Sequence, residues 1–211
     1  MNLAEMRVRL RRDLGDEDPQ GQRWSDDELD RHIAHAVREL SLAVPLEARA
    51  QLQASGGREL SIASLEDVVA VGAAEYPVGN YPPTYVRFSL WGQSLTIHSP
   101  REPEQGEEVW VYYGQVHTLD ETSSTIPRHL EELVAIGAAG YAALEWASFA
   151  VNRVNVGGSD TWKGYLEWGQ DRLAAFMKGL SRHSQKNRVR SQRLYRPYEP
   201  PDEPQDWRAA P

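Results

Sequence analysis

Two histidines three residues apart, preceded by carboxylates one turn earlier, are the residues of this chain best placed for chemistry. They lie in "RWSDDELDRHIAHAVRELS", from Arg23 to Ser41. On one helix, Glu28, Asp30, His32 and His35 fall at spacings that bring side chains to a common side. Such a set can hold a metal ion or pass a proton between carboxylate and imidazole. The same letters have a plainer explanation. Ser25 followed by Glu28 three residues later is a capping box, in which each side chain answers the other's backbone N–H. Trp24 before the cap and Leu29 after it form a hydrophobic staple. Asp26, Asp27 and Glu28 suit the positive end of the helix dipole. Leu29, Ile33, Ala36, Val37 and Leu40 make the buried stripe. His32 then lies near one edge of that stripe and His35 about 100° from its centre, and a solvated or interface role outweighs metal binding.

The rest of the chain offers little more for catalysis. It has no cysteine, which excludes disulfides, thiolate metal sites and thiol nucleophiles. No P-loop, dinucleotide-binding glycine pattern, nucleophile elbow or HExxH motif occurs. Carboxylate pairs such as Glu107/Glu108 and Glu131/Glu132 sit at element starts and edges. Nothing in the sequence builds a pocket that would separate their pKa values. The sequence therefore predicts no enzyme, no catalytic residue, no metal ligand and no cofactor. A hydrolase using Glu28, His32 and His35 is a minor alternative.

Charge is distributed unevenly. The net charge is −8, but residues 1–177 hold 15 basic and 27 acidic residues. Lys178, Arg182, Lys186, Arg188, Arg190, Arg193 and Arg196 form a basic run with no intervening carboxylate. The end, "RPYEPPDEPQDWRAAP", has five prolines and is predicted to be an extended tail. An acidic body with a basic end piece points to a partner for that end. Docking onto an acidic protein surface is favoured. The alternative is a helical nucleic-acid-binding protein that uses residues 178–196 on phosphates, with Tyr195 and Tyr198 stacking on bases. Trp207, isolated in the polar tail, suits a docking anchor. The N-terminus does not resemble a signal peptide. No run is expected to reach the roughly 20 apolar residues of a membrane span.

Periodicity predicts the elements. Residues 2–14, and the capped stretch from Ser25 to Ser41, read as amphipathic helices. From about residue 51 to 118 the period falls to two, predicting five or six short antiparallel strands. "QLQASGGRELSI" reads as a hairpin about Gly56 and Gly57. "YVRFSLWGQSLTIH" reads as a hairpin about Gly92. A long helix begins near Pro127, with Leu130, Leu133, Val134, Ala138, Tyr141, Leu144 and Phe149 as its buried stripe. Gly137, Gly140 and the alanines permit a close neighbour. After Gly157 and Gly158, a final helix capped by Ser159 or Asp160 buries Trp162, Leu166, Leu173, Phe176, Met177 and Leu180, reaching about Arg190. Trp91 and Trp110 are expected in the core or at a sheet edge. The expected fold is mainly α with an inserted antiparallel β module, an α+β arrangement. Residues 1–48 and 121–190 form a four-helix body, 49–120 a small sheet or sandwich, and 191–211 the tail.

With the elements in place, a family likeness emerges. "NLAEMRVRLRRDLGDED…RWSDDELDRHIAHAVRELS" resembles the opening of head–tail adaptor proteins of tailed bacteriophages, also called connector or head-completion proteins. "HLEELVAIGAAGYAALEWASFAVNRVNVGG" and "RVRSQRLYRPY" are similar to later parts of such chains. The resemblance implies a structural virion protein without catalytic activity. It is made in the host cytoplasm and resides at the head–tail interface. It implies a homo-oligomeric ring, typically twelve-fold, bound to the portal protein and to a stopper or tail-completion protein. Genomic DNA would pass through without specific binding, and no membrane would be involved. It further implies that the C-terminal segment grips the portal. Here that means Arg188, Arg190, Arg193, Leu194, Tyr195, Arg196, Tyr198 and Trp207. The outer-face residues of the second helix, Asp30, Arg31, His32, His35 and Arg38, become candidates for the subunit interface.

Overall fold

In a computed structural model, the backbone is described for residues 1–151 and 161–194, and side chains as far as residue 184. The order is α1 (Leu3–Leu14), α2 (Asp26–Ala43), β1 (Leu46–Gln53), β2 (Glu59–Ser61), β3 (Val68–Glu75), β4 (Tyr85–Trp91), β5 (Ser94–His98), β6 (Glu108–Gln115), α3 (Arg128–Ala150) and α4 (Thr161–Leu194). The fold is α+β, as the periodicities predict. Ser159, Asp160, Gly157 and Gly158, expected to stop α3 and cap α4, lie outside the described residues. So do Tyr195, Arg196, Tyr198 and Trp207.

The first two helices start where local chemistry directs. Ser25 accepts the Glu28 N–H, and Glu28 accepts the Ser25 N–H at 2.7 Å. Asn2 and Glu5 form a second capping box on α1, which the sequence reading did not anticipate. Trp24 and Leu29 are both buried in the helical core. Arg11 ties the turn between the helices together. It donates to Asp16 at 2.7 Å, to the Trp24 carbonyl at 3.0 Å and to Asp26 at 2.6 Å. Asp16 is itself buried and also accepts the Arg23 N–H at 2.6 Å.

Six strands form one curled antiparallel sheet in the order β1-β6-β3-β4-β5-β2. The hairpin at Gly92 forms as expected, with Trp91 opposite Ser94. The expected hairpin at Gly56 and Gly57 does not. β1 pairs with β6 and β2 pairs with β5. Inward residues Ala50 and Leu52 of β1 face Val111 and Val109 of β6, and Ala54 continues that ladder to the Glu107 carbonyl at 2.8 Å. Gly56 and Gly57, with φ of 98° and 96°, then carry the chain to the opposite edge of the sheet. The first and last strands in space are thus joined by residues 54–58 alone, and so short a link requires the sheet to curl. Leu52, Leu60, Ala74, Leu95, Ile97, Val109 and Val111 fill its own core, separate from the helical one.

The β module is clasped where it joins the helices. His117, buried, donates its backbone N–H to the Ser41 hydroxyl at 2.9 Å. Its ring reaches the Val44 carbonyl through Nε2 at 3.0 Å and Thr125 through Nδ1. The tautomer with Nε2–H donating to Val44 lets Nδ1 accept the Thr125 hydroxyl, so both nitrogens are satisfied. The exit of α2, the exit of the sheet and the approach to α3 therefore meet at one imidazole.

α3 is buried on most of its circumference, chiefly through small residues: Ala135, Gly137, Ala138, Ala139, Gly140, Ala142, Ala143 and Ala147. Its window of high hydropathy, 1.4, makes it long and apolar enough to cross a membrane by composition, contrary to the expectation that no run would be; 56% of that window is buried inside this fold. Two large residues assigned to the core stripes are corrected: Phe149 on α3 is 59% exposed and Met177 on α4 is 47% exposed. The contact between α3 and α4 sets glycines of one helix against Phe176, Leu173 and Leu133, and Phe149 and Met177 are not buried by it. Trp91, expected in the core or at an edge, is 88% exposed at the Gly92 hairpin.

The helices α3 and α4 run antiparallel at close range. A Cβ on Gly137 would fall 2.9 Å from Phe176, and one on Gly140 would fall 2.8 Å from Leu173 and 3.2 Å from the Gly169 carbonyl. Such positions exclude side chains. Gly140→Val is therefore expected to cost about 1–3 kcal/mol through overpacking. Gly164, with nothing within 4 Å of an added Cβ, is the control. Gly164→Ala should stabilise by about 0.5–1 kcal/mol through helix propensity. Urea unfolding of both variants measures the contrast.

Candidate interface: the outer face of α2 and the projecting end of α4

The outer-face residues of α2 divide once the other helices are in place. Asp30 accepts two bonds from Arg7 of α1, at 2.5 and 2.7 Å. Arg7 also donates to Glu121 at 2.5 Å, and its guanidinium is held strongly in the charged form by these two carboxylates, Asp30 first. His35 stacks on Tyr141 of α3, with centroids 4.1 Å apart and planes 10° apart. Arg31 donates to both oxygens of Glu145 on α3 at 2.6 Å. Arg38 is exposed, with no ion-pair partner within range among the described residues.

His32 departs from expectation. It is only 6% exposed, not on an outer face. It lies between α2 and α3, where helical spacing alone placed it at the stripe edge. Its Nε2 comes within 2.7 Å of Glu145 Oε2 but without good hydrogen-bond alignment. Burial pushes the imidazole below its ordinary value, outweighing the upward pull of Glu145. The carboxylate that meets His32 is thus not its helical neighbour Glu28 but Glu145, 113 positions away. Glu28 is occupied at Ser25, whose backbone and side-chain donors hold it below the usual carboxylate range. No group of three or more His, Asp or Glu side chains arranged for a metal ion occurs among the described residues.

The second half of the candidate interface is the end of α4. Its packing against α3 keeps one register throughout: Trp146 meets Tyr165, Gly140 meets Leu173, Gly137 meets Phe176, and His129 lies 5.9 Å from His183 between ring centroids. α3 begins at Arg128 and α4 continues to Leu194. Residues 185–194 therefore run past the start of α3, over about 15 Å at 1.5 Å per residue. That overhang holds Arg188, Arg190, Arg193 and Leu194, on a helix four residues longer than the sequence reading gave it. It leaves the body at the end where His117 clasps the β module, since the approach to α3 passes through Thr125.

Sequence reasoning found α2's own residues but missed Glu145, Tyr141 and His117. The overhang was legible only in part. Its basic character is plain in the sequence, whereas its length depends on the α3–α4 register.

The chain matches no known protein-family profile and no curated protein sequence. Among solved structures it is similar to a chain from the "neck of empty GTA particle computed with C6 symmetry". The identity is 17%, over 80% of this chain and 88% of that one, with a TM-score of 0.30. Overlap this loose carries no inference about role.

The burial of His32 yields a pH dependence. Its folded-state pKa lies below the unfolded value of about 6.5, so the folded chain binds fewer protons there. Its contribution is full above pH 6.5 and is lost as pH falls through the lowered folded value. Unfolding free energy should therefore drop on acidification below that pH, and His32→Gln should flatten this part of the profile. Urea titrations at a series of pH values measure it; equal slopes in both proteins would refute the assignment.

Proposed function

We propose that this chain is a structural virion protein, a head–tail adaptor that assembles as a ring against a portal. Its basic C-terminal segment grips the portal, and it carries out no reaction. The observation that carries this is the overhang of α4. A helix that outruns its partner by about three turns at 3.6 residues per turn extends a cluster of arginines beyond the packed body. Four of the eight candidate portal-binding residues, Arg188, Arg190, Arg193 and Leu194, belong to that overhang, and the others follow it in sequence.

Three further features support the same role. The resemblance of the opening and of the α3 region to adaptor proteins spans the elements that form the helical body. The body is acidic, which suits a channel that lets DNA pass without binding it. Arg38 remains exposed on α2 with no ion-pair partner among the described residues, where a neighbouring subunit can meet it, while Asp30 engages α1 and Arg31, His32 and His35 engage α3. A heterologous contact of this kind closes into a ring when the rotation between copies permits. Twelve copies, a stopper or tail-completion protein below, and residence at the head–tail interface complete the proposal.

Truncation after Arg190 tests it. Binding to the portal protein of the same genome should be lost, while far-UV circular dichroism and urea unfolding stay close to those of the full chain. Undiminished binding would refute the role of the segment. Salt-sensitive retention of duplex DNA by the full chain, without portal binding, would favour the nucleic-acid alternative instead.

A further inference from the structure

The face of α4 turned away from α3 carries an ordered charge pattern. At about 100° per residue, Glu167, Asp171, Ala174, Ala175, Lys178 and Arg182 fall within one arc about 100° wide. All six are exposed. Phe176 and Leu180, both buried, lie on the opposite side of the helix. Along the axis the stripe runs from carboxylates through alanines to cations. It covers about 22 Å at 1.5 Å per residue.

Neither end of the stripe is neutralised by its own fold. Glu167, Asp171, Lys178 and Arg182 make no ion pair among the described residues. Each end instead sets like charges four residues apart, Glu167 with Asp171 and Lys178 with Arg182. Such pairs weaken a helix slightly when nothing opposes them. A continuous helix cannot fold back to join its own two ends, so the opposing charges must come from another molecule.

The complement of this stripe is the same stripe reversed. Asp171 and Lys178 lie three residues outside Ala174 and Ala175, and Glu167 and Arg182 lie seven residues outside them. Two antiparallel copies centred between the alanines therefore bring Glu167 level with Arg182 and Asp171 level with Lys178. The alanines meet at the centre, where small side chains let two helices come close. A parallel pair would set like charges together, which costs stability.

We propose that the free protein forms a two-fold dimer through this face of α4. The contact is isologous, so each ion pair occurs twice. One helix pair of this length is a small interface, which makes the dimer reversible and salt-sensitive. The two-fold also reverses α4, so the two overhangs leave at opposite ends. In a ring of the proposed kind every overhang points the same way, and the dimer separates before assembly. That consequence alone rests on the proposed role.

Sedimentation velocity of the full chain over a rising concentration series tests the contact. The expected result is a shift from monomer to dimer, reversed by added salt. Glu167→Lys with Asp171→Lys makes the stripe wholly basic, and Lys178→Glu with Arg182→Glu makes it wholly acidic. Far-UV circular dichroism checks that each variant keeps its helices. Each variant alone should stay monomeric where the unaltered chain dimerises, and their equimolar mixture should recover the dimer. Asp171→Asn with Lys178→Gln, a milder change, should weaken the dimer in the same direction. An unaltered chain that stays monomeric throughout overturns the proposal. So do variants that still self-associate, which assigns the contact to another face, and a mixture that fails to associate. Growth of the unaltered chain beyond the dimer refutes the two-fold closure. None of these outcomes depends on portal binding.

Discussion

The close approach of α3 and α4 is the constraint on which the rest of this structure depends. Two helices come this near only where one or both lack Cβ atoms at the crossing, and here glycines do so from both sides: Gly137 and Gly140 on α3, Gly169 and Gly179 on α4. A Cβ on Gly179 would fall 2.4 Å from Leu133, so the fit extends toward the start of α3. Each glycine admits one particular side chain of its partner. Sliding one helix by a turn would drive one of these side chains out of its gap, Phe176 onto Leu133 and Val134 in one direction or Leu173 onto Ala143 and Leu144 in the other. The seam therefore fixes register as well as distance. Because α4 is longer than α3, register determines where the surplus falls, and it falls at the basic end. Sequence places the arginines; packing places them in space.

A second constraint acts at the base of the β module. The helical body and the sheet have separate cores, which leaves their relative placement to the junction. At that junction Val44, Leu119 and Ile126 pack on the helical core, and directional bonds tie the chain segments together. His117 bonds to Ser41 and Val44 at the end of α2 and to Thr125 before α3. Thr125 in turn accepts the Thr118 N–H at 2.8 Å. An imidazole is well suited here, since its two nitrogens lie on opposite edges of a rigid ring and can satisfy chain segments approaching from both sides. Leu3 adds a backbone bond to Asp120 at 2.9 Å, drawing α1 into the same region.

What the sequence disclosed follows from the range of the interactions involved. Capping is local, so Ser25, Glu28 and the start of α2 were legible from four consecutive letters. The Gly92 hairpin was equally legible, because its turn and its two strands are contiguous. The Gly56–Gly57 hairpin was misread for the same reason. Two glycines between alternating segments signal a turn, but which strand each segment joins depends on β5 and β6, about 35 to 60 residues further on. Phe149 and Met177 were placed inside because large apolar residues usually are. The seam instead pairs glycines with particular bulky residues, Phe176, Leu173 and Leu133, and has no such gap for Phe149 or Met177. Trp91 shows the limit of a residue-type argument: alternation puts it on a face, and only the assembled sheet shows that nothing described covers that face.

The stretch with the greatest apparent chemical potential illustrates how tertiary contacts reassign side chains. On an isolated helix, Glu28, Asp30, His32 and His35 form a plausible acid–imidazole set. In the fold, each is drawn to a different partner: Ser25, Arg7, Glu145 and Tyr141. A carboxylate engaged by its own helix cap cannot also orient a histidine a turn away. An imidazole buried without an aligned acceptor favours its neutral form, which suits packing against apolar neighbours. Glu145 serves Arg31 with both oxygens and meets His32 at close range, so one exposed residue of α3 organises two residues of α2. Packing has converted a chemically suggestive cluster into the seam between α2 and α3. On α2, Arg38 stays exposed without an ion-pair partner among the described residues, and the sequence places a run of basic residues along the last part of α4. Charge complementarity at exposed positions of this kind can select a partner without a binding pocket.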